Sequence, residues 1–183
     1  MTYRILALSG SQRSRSMSAG LLRACRDLAP PTLAIELFEQ HKDFPLFDPE
    51  RPDLPPGVRA LQDAITGADA LLIASPEYAH GVTGTIKNTL DWVVSHAPFA
   101  DKPVVVLNPA YQSFHADDAL KETLRTMSAD LVLDACLRIP VIGSATDPDA
   151  IAAVPRFAAT ITTALSALVA HIERRAMASR TTE

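Results

Sequence analysis

Asp69-Ala70-Leu71-Leu72-Ile73-Ala74 is an almost continuously apolar run. A strand with one wet face alternates apolar and polar side chains. A strand without that alternation is covered on both faces, as in a parallel sheet sandwiched between helices. Val104-Val105-Val106-Leu107 is a second run of this kind, and Ile5-Leu6-Ala7-Leu8 is a third. Between the runs the apolar residues switch to helical spacing. Leu21, Leu22, Cys25 and Leu28 form one stripe, which Pro30-Pro31 stops; Val58, Leu61, Ile65 and Ala68 form the next, ending near Gly67. Ile86, Leu90, Val93 and Val94, then Leu120, Leu124 and Met127, then Phe157, Ile161, Leu165, Leu168 and Ile172 give three more.

Leu33 to Phe38 supplies a second strand, and the stretch from Leu131 to Ile139 carries a fifth, placed in its later half. Strands alternating with helices over the whole length predict an α/β fold: a three-layer sandwich around a five-stranded parallel sheet. Right-handed crossovers leave few topologies, and for a chain of 183 residues the natural one is the flavodoxin-like order 2-1-3-4-5. The expected domain spans residues 1–178, with a frayed tail from 179 to 183. A proline-rich segment from about Glu39 to Pro56, with Phe44, Leu46 and Phe47 among its prolines, reads as a long loop that is either functional, covered by a partner, or pinned to the core by its aromatics.

Composition narrows the class. The net charge of −4 argues against a nucleic-acid binder. Cys25 and Cys136 match no metal or redox spacing and read as small buried hydrophobes in a reduced compartment. The N-terminus lacks the layout of a signal peptide, and no apolar run is long enough to span a membrane, so the expected location is cytoplasmic. The five histidines form no metal constellation, and no serine–histidine–acid spacing stands out.

Ligands of such sheets bind beyond the carboxyl ends of the strands. Three loops leave those ends together: Gly10–Ser18, Pro76–Gly84 and Asn108–Asp118. The first, Gly10-Ser11-Gln12-Arg13-Ser14-Arg15-Ser16-Met17-Ser18, opens into a helix, whose N-terminus favours an anion. It has neither the further glycines of a dinucleotide fingerprint nor the lysine of a nucleotide P-loop. Its donors are mainly hydroxyls, which suits a terminal phosphate monoester. The second loop brings Tyr78 and several main-chain groups to the same rim, fitting a flat heteroaromatic. Glu77 is either a carboxylate base or a cap on a nearby helix, and His80 either faces the pocket or is solvated.

These residues resemble the NADPH-dependent FMN reductase family, which includes quinone, chromate and azo-dye reductases. The first loop is similar to that family's glycine-serine-x-arginine-x-x-serine-x-asparagine pattern: Gly10, Ser11, Arg13 and Ser16 match, and Ser18 stands where asparagine is usual. The second resembles its proline-glutamate-tyrosine-asparagine signature and the residues that follow. Pro76, Glu77, Tyr78, Gly84, Lys87, Asn88, Asp91 and Trp92 match, while Ala79 replaces the asparagine. In the third loop Ala116 and Asp117 occupy the places of a glycine pair.

The resemblance implies an oxidoreductase with FMN as cofactor. Its phosphate would lie on Ser9, Ser11, Arg13, Ser16, Met17 and Ser18. Its ring would lie against Pro76, Glu77, Tyr78 and Ala79, with His80, Gly81 and Tyr111 beside it. Hydride would come from NADPH or NADH and pass to a small-molecule acceptor such as a quinone, dye, metal oxyanion or free flavin. The flavin carries that chemistry, so no catalytic protein acid or base is expected. The resemblance also implies a homodimer or a dimer of dimers, with the Phe44–Phe47 loop and the Trp92 helix at the interface and His96 and Phe99 reaching across it. The rival expectation is a binding or sensing module whose altered third loop has weakened or lost the flavin site.

Overall fold

A computed structural model describes residues 2–13 and 15–181. Five strands, β1 (Tyr3–Ser9), β2 (Leu33–Leu37), β3 (Ala70–Ala74), β4 (Pro103–Leu107) and β5 (Asp130–Leu131), form one parallel sheet in the order β2-β1-β3-β4-β5. The helices are α1 (Met17–Asp27), α2 (Pro56–Gly67), α3 (Gly84–Val93), α4 (His115–Thr126) and α5 (Pro155–Thr181). This is the flavodoxin-like sandwich that the apolar runs predict.

Alternation within each strand builds the two halves of the core. Ile5, Ala7, Leu72 and Val105 pack with Leu21, Leu22 and Cys25 of α1 and with Ile161, Leu165 and Leu168 of α5. Leu6, Leu8, Leu71, Ile73 and Val106 turn the other way, onto Leu61 and Ile65 of α2, Ile86 and Leu90 of α3, and Leu120 and Leu124 of α4. Truncating any of the central leucines to alanine costs about 2–5 kcal/mol. Burial also pushes the Cys25 thiol up to about 12, which makes it a packing residue rather than a reactive one.

The fifth strand differs from its expected position. The regular pairing is Pro103↔Asp130 and Val104↔Leu131, at the start of the predicted segment rather than in its later half. A short 3-10 turn, Leu133–Ala135, then lifts the chain off the sheet, and only a single bridge, Asn108↔Arg138, restores contact. The interruption leaves the Val106 N–H without a strand partner, and the Cys136 sulfur accepts it at 3.3 Å. Asp130 anchors this edge to α5 by accepting from His171 at 2.7 Å and from Arg175. Burial pushes the Asp130 carboxyl up, but the hydrogen bonds and charge attraction of His171 and Arg175 together outweigh it and hold it below its ordinary range. Helix α5 continues through Ser179 to Thr181, where the sequence suggests fraying; residues 182 and 183 lie outside the described residues.

The proline-rich loop is pinned at its middle. The Pro45 carbonyl accepts from Asn88 Nδ2 at 2.9 Å and Trp92 Nε1 at 2.8 Å, and Asn88 Oδ1 accepts the Phe47 N–H at 2.8 Å. Phe47 meets Trp92 edge-on, which leaves Leu46 at the loop tip 84% exposed. Phe99, expected to reach outward, is instead buried in the core facing α2, because its apolar ring gains more there than at the surface. His96 meets the Thr66 hydroxyl at 3.1 Å. Among the described residues no helix is long and apolar enough to cross a membrane, and no cluster of three or more acidic, histidine or cysteine side chains suits a metal ion.

Candidate functional site

The first loop leaves β1 at Gly10, whose N–H donates to the Ala74 carbonyl at 2.8 Å and so continues the β1–β3 ladder by one bond. A Cβ at Gly10 would lie 2.6 Å from Ser75 Cβ and 2.9 Å from Thr83 Oγ1. Glycine therefore lets the first two loops close on each other.

Serine hydroxyls then organise the turn. Ser9 Oγ accepts the Ser11 N–H at 3.4 Å, and Ser11 Oγ accepts the Arg13 N–H at 3.3 Å. Ser16, in an extended conformation, caps α1 by accepting the N–H groups of Ser18 and Ala19 at 3.2 and 3.4 Å. Each of these oxygens accepts from the backbone, so each hydroxyl proton stays free to donate elsewhere. Ser18 Oγ is buried and has no partner, and the Arg13 guanidinium makes no ion pair among the described residues. Arg15 is engaged by Asp147 at 2.6 Å. Ser14 lies outside the described residues.

Two contacts brace this loop from behind. Gln12 Nε2 donates to the Lys42 carbonyl at 2.8 Å and to Thr85 Oγ1 at 3.0 Å. His41 is buried with Nε2 2.9 Å from the Ser9 carbonyl, and burial pushes its imidazole below the usual range, so it donates to that carbonyl as a neutral ring. Sequence reading missed His41 because it lies inside the proline-rich segment, far from any motif.

In the second loop Tyr78 and Gly81 pair across a tight turn, with Gly81 N–H donating to Tyr78 O at 2.9 Å. The two central residues, Ala79 and His80, have φ of +50° and +57°, the signature of a type I′ turn. Alanine is a poor residue for that conformation, which asparagine tolerates better.

Glu77 resolves as a cap. One carboxylate oxygen accepts the Ala116 N–H at the start of α4 at 2.8 Å, and the other meets His80 Nδ1 at 2.8 Å. The Ala116 hydrogen bond, with help from His80, holds the Glu77 carboxyl below its ordinary range. The second and third loops are thereby joined. His80 also packs edge-on against His115, with ring centroids 4.4 Å apart.

The third loop is built on Asn108, a buried polar residue that sequence reading did not single out. Its Nδ2 donates to Ser113 O at 2.7 Å and its Oδ1 accepts the Ala110 N–H at 3.0 Å. Arg138 braces the far side, donating to Tyr111 O at 3.0 Å while its guanidinium lies 4.1 Å over the Phe114 ring. Asp117 pairs with Lys121 at 2.7 Å and borders a small internal void with Ser75, Asn108 and Ser113.

These loops enclose a cleft of about 350 Å³. Of the residues expected to hold a ligand, Ser11, Arg13, Ser16, Met17, Ser18, Pro76, Glu77 and Tyr78 line it, joined by Arg15, Ala110, Ser113 and Ile142. Ser9 does not: its hydroxyl accepts from Ser11 within the loop, and its carbonyl accepts from His41 behind it. Ala79, His80 and Gly81 stand on the turn beyond its rim, and Tyr111 faces a neighbouring depression.

A flavodoxin-like sheet with a hydroxyl-rich helix N-terminus at its switch point is the architecture of nucleotide- and flavin-binding proteins. The family model for NADPH-dependent FMN reductases matches residues 3–140. An NAD(P)H-dependent FMN reductase of Pseudomonas aeruginosa is 35% identical over 128 residues, covering 66% of this chain and 69% of the relative. An NADPH:quinone oxidoreductase of Arabidopsis thaliana is 41% identical over 113 residues, 57% of each chain, so the match spans somewhat over half of that relative. Among solved structures, the flavoenzyme NAD(P)H:(acceptor) oxidoreductase FerB of Paracoccus denitrificans superposes with a TM-score of 0.77 at 22% identity, covering 94% of this chain and 98% of that one. This chain belongs to the NADPH-dependent FMN reductase family.

The donor set fits the phosphate end of FMN. A dianionic monoester accepts several hydrogen bonds, and the cleft offers the unpartnered Ser18 hydroxyl, the Ser11 and Ser16 hydroxyl protons, the N-terminus of α1 and the Arg13 guanidinium. Asp117, which stands where the family has glycine, does not line the cleft, so its charge is spent on Lys121 rather than directed at a ring.

Proposed function

We propose that this chain is an FMN-dependent NAD(P)H reductase that delivers electrons to a quinone or a similar small acceptor. The observation that carries the reading is the buried Ser18 hydroxyl, which among the described residues has no partner, beside Arg13, which among them has no ion pair, at the N-terminus of α1. Leaving such a donor unsatisfied costs about 1–3 kcal/mol, which an anion in the cleft would recover.

In this reading Ser11, Ser16 and Ser18 donate to the cofactor's phosphate and Arg13 neutralises it. Main-chain groups of Pro76, Glu77 and Tyr78 position the ring's polar edge. FMN supplies the redox chemistry when bound, accepting hydride from the reduced nicotinamide and passing electrons on. The protein binds and orients. Glu77 and Asn108 hold the second and third loops in place, so that the cleft is preformed rather than assembled on binding.

The exposed Leu46, held on a loop stapled to Trp92 and Asn88, supports assembly as a homodimer through this face.

The test is titration of flavin-free protein with FMN, followed by its absorption spectrum and its oxidation of NADPH and NADH in the presence of a quinone. Tight FMN uptake with quinone-dependent coenzyme oxidation is expected. A protein that takes up no FMN would leave a flavodoxin-like binding module instead.

A further inference from the structure

A second cleft, of about 390 Å³, adjoins the first across Ile142, which lines both. Its other walls include Tyr111, Gly143, Ser144, Arg156 and Thr160. Tyr111 is 70% exposed, although the loop carrying it is braced by the Arg138 hydrogen bond to its own carbonyl. An aromatic ring held out on a braced loop can serve as a stacking platform for a flat ligand.

The charge of this cleft has one sign. Among the described residues Arg156 is its only cation, no carboxylate lines it, and Arg156 makes no ion pair. Its guanidinium sits 4.7 Å from the centroid of the buried Phe157 ring, which fixes the fork without neutralising it. The two hydroxyls have the opposite polarity. Ser144 Oγ donates to Val141 O at 2.6 Å and Thr160 Oγ1 donates to Arg156 O at 3.0 Å, so while they keep those bonds both offer lone pairs to a ligand. A stacking ring, a fixed cation and two acceptors describe a base to stack, a phosphate to pair, and amino or ribose hydroxyl groups to donate.

We propose that this cleft binds a nucleoside phosphate and is the outer subsite for the adenosine phosphate end of the hydride donor. The assignment to the hydride donor rests on the reading of the neighbouring cleft as the FMN site, since a dinucleotide whose nicotinamide meets the flavin must lay its other half on adjoining surface. Tyr111 was expected beside the flavin ring from sequence; here it serves the second nucleotide instead.

The experiment is calorimetric titration of FMN-loaded protein with adenosine 2′,5′-bisphosphate, and separately with anthraquinone-2-sulfonate as an anionic aromatic that lacks the donor groups. Wild type, Arg156→Ala and Arg156→Lys are compared, and FMN affinity is measured on each flavin-free variant. The expected result is binding of the bisphosphate that weakens about tenfold or more in R156A and recovers in part in R156K, with FMN affinity within about twofold throughout. The inference is overturned if the bisphosphate does not bind, if R156A binds it as well as wild type, if only the anthraquinone binds, or if R156A loses FMN to the same degree. If wild type takes up no FMN, the flavin reading fails by itself. The bisphosphate titration on that flavin-free protein still tests the cleft: Arg156-dependent binding keeps the nucleotide site, and its absence removes it.

Discussion

The Glu77 carboxylate accepts the Ala116 backbone N–H at 2.8 Å, across 39 residues of sequence. One side chain at the end of β3 thus supplies the cap that α4 lacks from its own preceding residue, Phe114. It also fixes the spacing of two loops that wall the cleft. Glu77→Ala is expected to lower the melting temperature by a few degrees, and Glu77→Gln by less, because the amide oxygen still accepts from Ala116. The carboxyl is held below its ordinary value in the fold, so its contribution is complete above the carboxylate range and fades as pH falls through the folded value. Melting curves from pH 7 down to pH 3 check this. The gap between wild type and Glu77→Gln closes on acidification, and a gap independent of pH would remove the charge from the argument.

Ala79 sits at φ +50° in the turn that carries Tyr78. A left-handed conformation costs a Cβ-bearing residue about 1–2 kcal/mol, and asparagine tolerates it better. Ala79→Asn is therefore expected to stabilise the protein by about 0.5–1 kcal/mol in urea unfolding, and Ala79→Val to destabilise it. Equal stability of all three would show that the turn relaxes.

Much of the architecture was legible in sequence because burial on both faces writes itself as uninterrupted apolar runs, as in Ala70–Ala74 and Pro103–Leu107. The β5 edge was not, because its regular part is two residues long and the apolar residues after it fold into a turn. The grouping of Ser11, Arg13, Ser16 and Ser18 on one cleft wall was legible as a cluster of hydroxyls and arginine at one strand–helix junction; that it holds a phosphate is the proposal. The geometry of the second and third loops depended on facts that no local window holds: positive φ at two residues that are not glycine, a cap from a distant glutamate, and Tyr111 turning to the far side of Ile142. Asn108 carried a faint signal, being a polar residue directly after an apolar run, which is buried only when something satisfies it, whereas His41, between Gln40 and Lys42, carried none.

Gly10 and Ser75 are packed so closely that any Cβ on Gly10 meets Ser75 Cβ at 2.6 Å. Gly10→Ala is expected to cost about 1–3 kcal/mol as the first two loops are driven apart. Ser75→Gly in the same chain should return part of that loss. Chemical unfolding of the two single variants and the double variant measures the coupling; strictly additive costs would place the strain elsewhere.

His41 gives the fold an acid limit. Its imidazole is pushed below the ordinary range of about 6.5 by burial, whereas in the unfolded chain it titrates at that value. The unfolded state therefore binds the proton first, and stability falls as pH drops below about 6.5 until the folded value is reached, with a slope of up to about 1.4 kcal/mol per pH unit. His41→Asn is expected to flatten that slope between pH 6.5 and 5, at some cost in stability at pH 8 from the lost bond to the Ser9 carbonyl. Urea unfolding across this range tests it, and an unchanged slope would assign the acid sensitivity to other groups.

Arg13 and Ser18 separate the two parts of phosphate recognition. Arg13 is exposed and unpaired, so its loss leaves the empty protein's stability nearly unchanged while removing charge-assisted hydrogen bonds from the cofactor. Arg13→Ala is expected to weaken FMN binding by about 1.5–3 kcal/mol. Ser18→Ala removes a hydroxyl that is buried and unsatisfied, so the flavin-free protein should gain stability even as FMN affinity falls. Thermal melts with and without FMN, together with fluorescence titration, resolve the two effects. If Ser18→Ala destabilised the flavin-free protein, the hydroxyl would have a partner within the fold, and the case for an anion beside it would rest on Arg13 and the end of α1 alone.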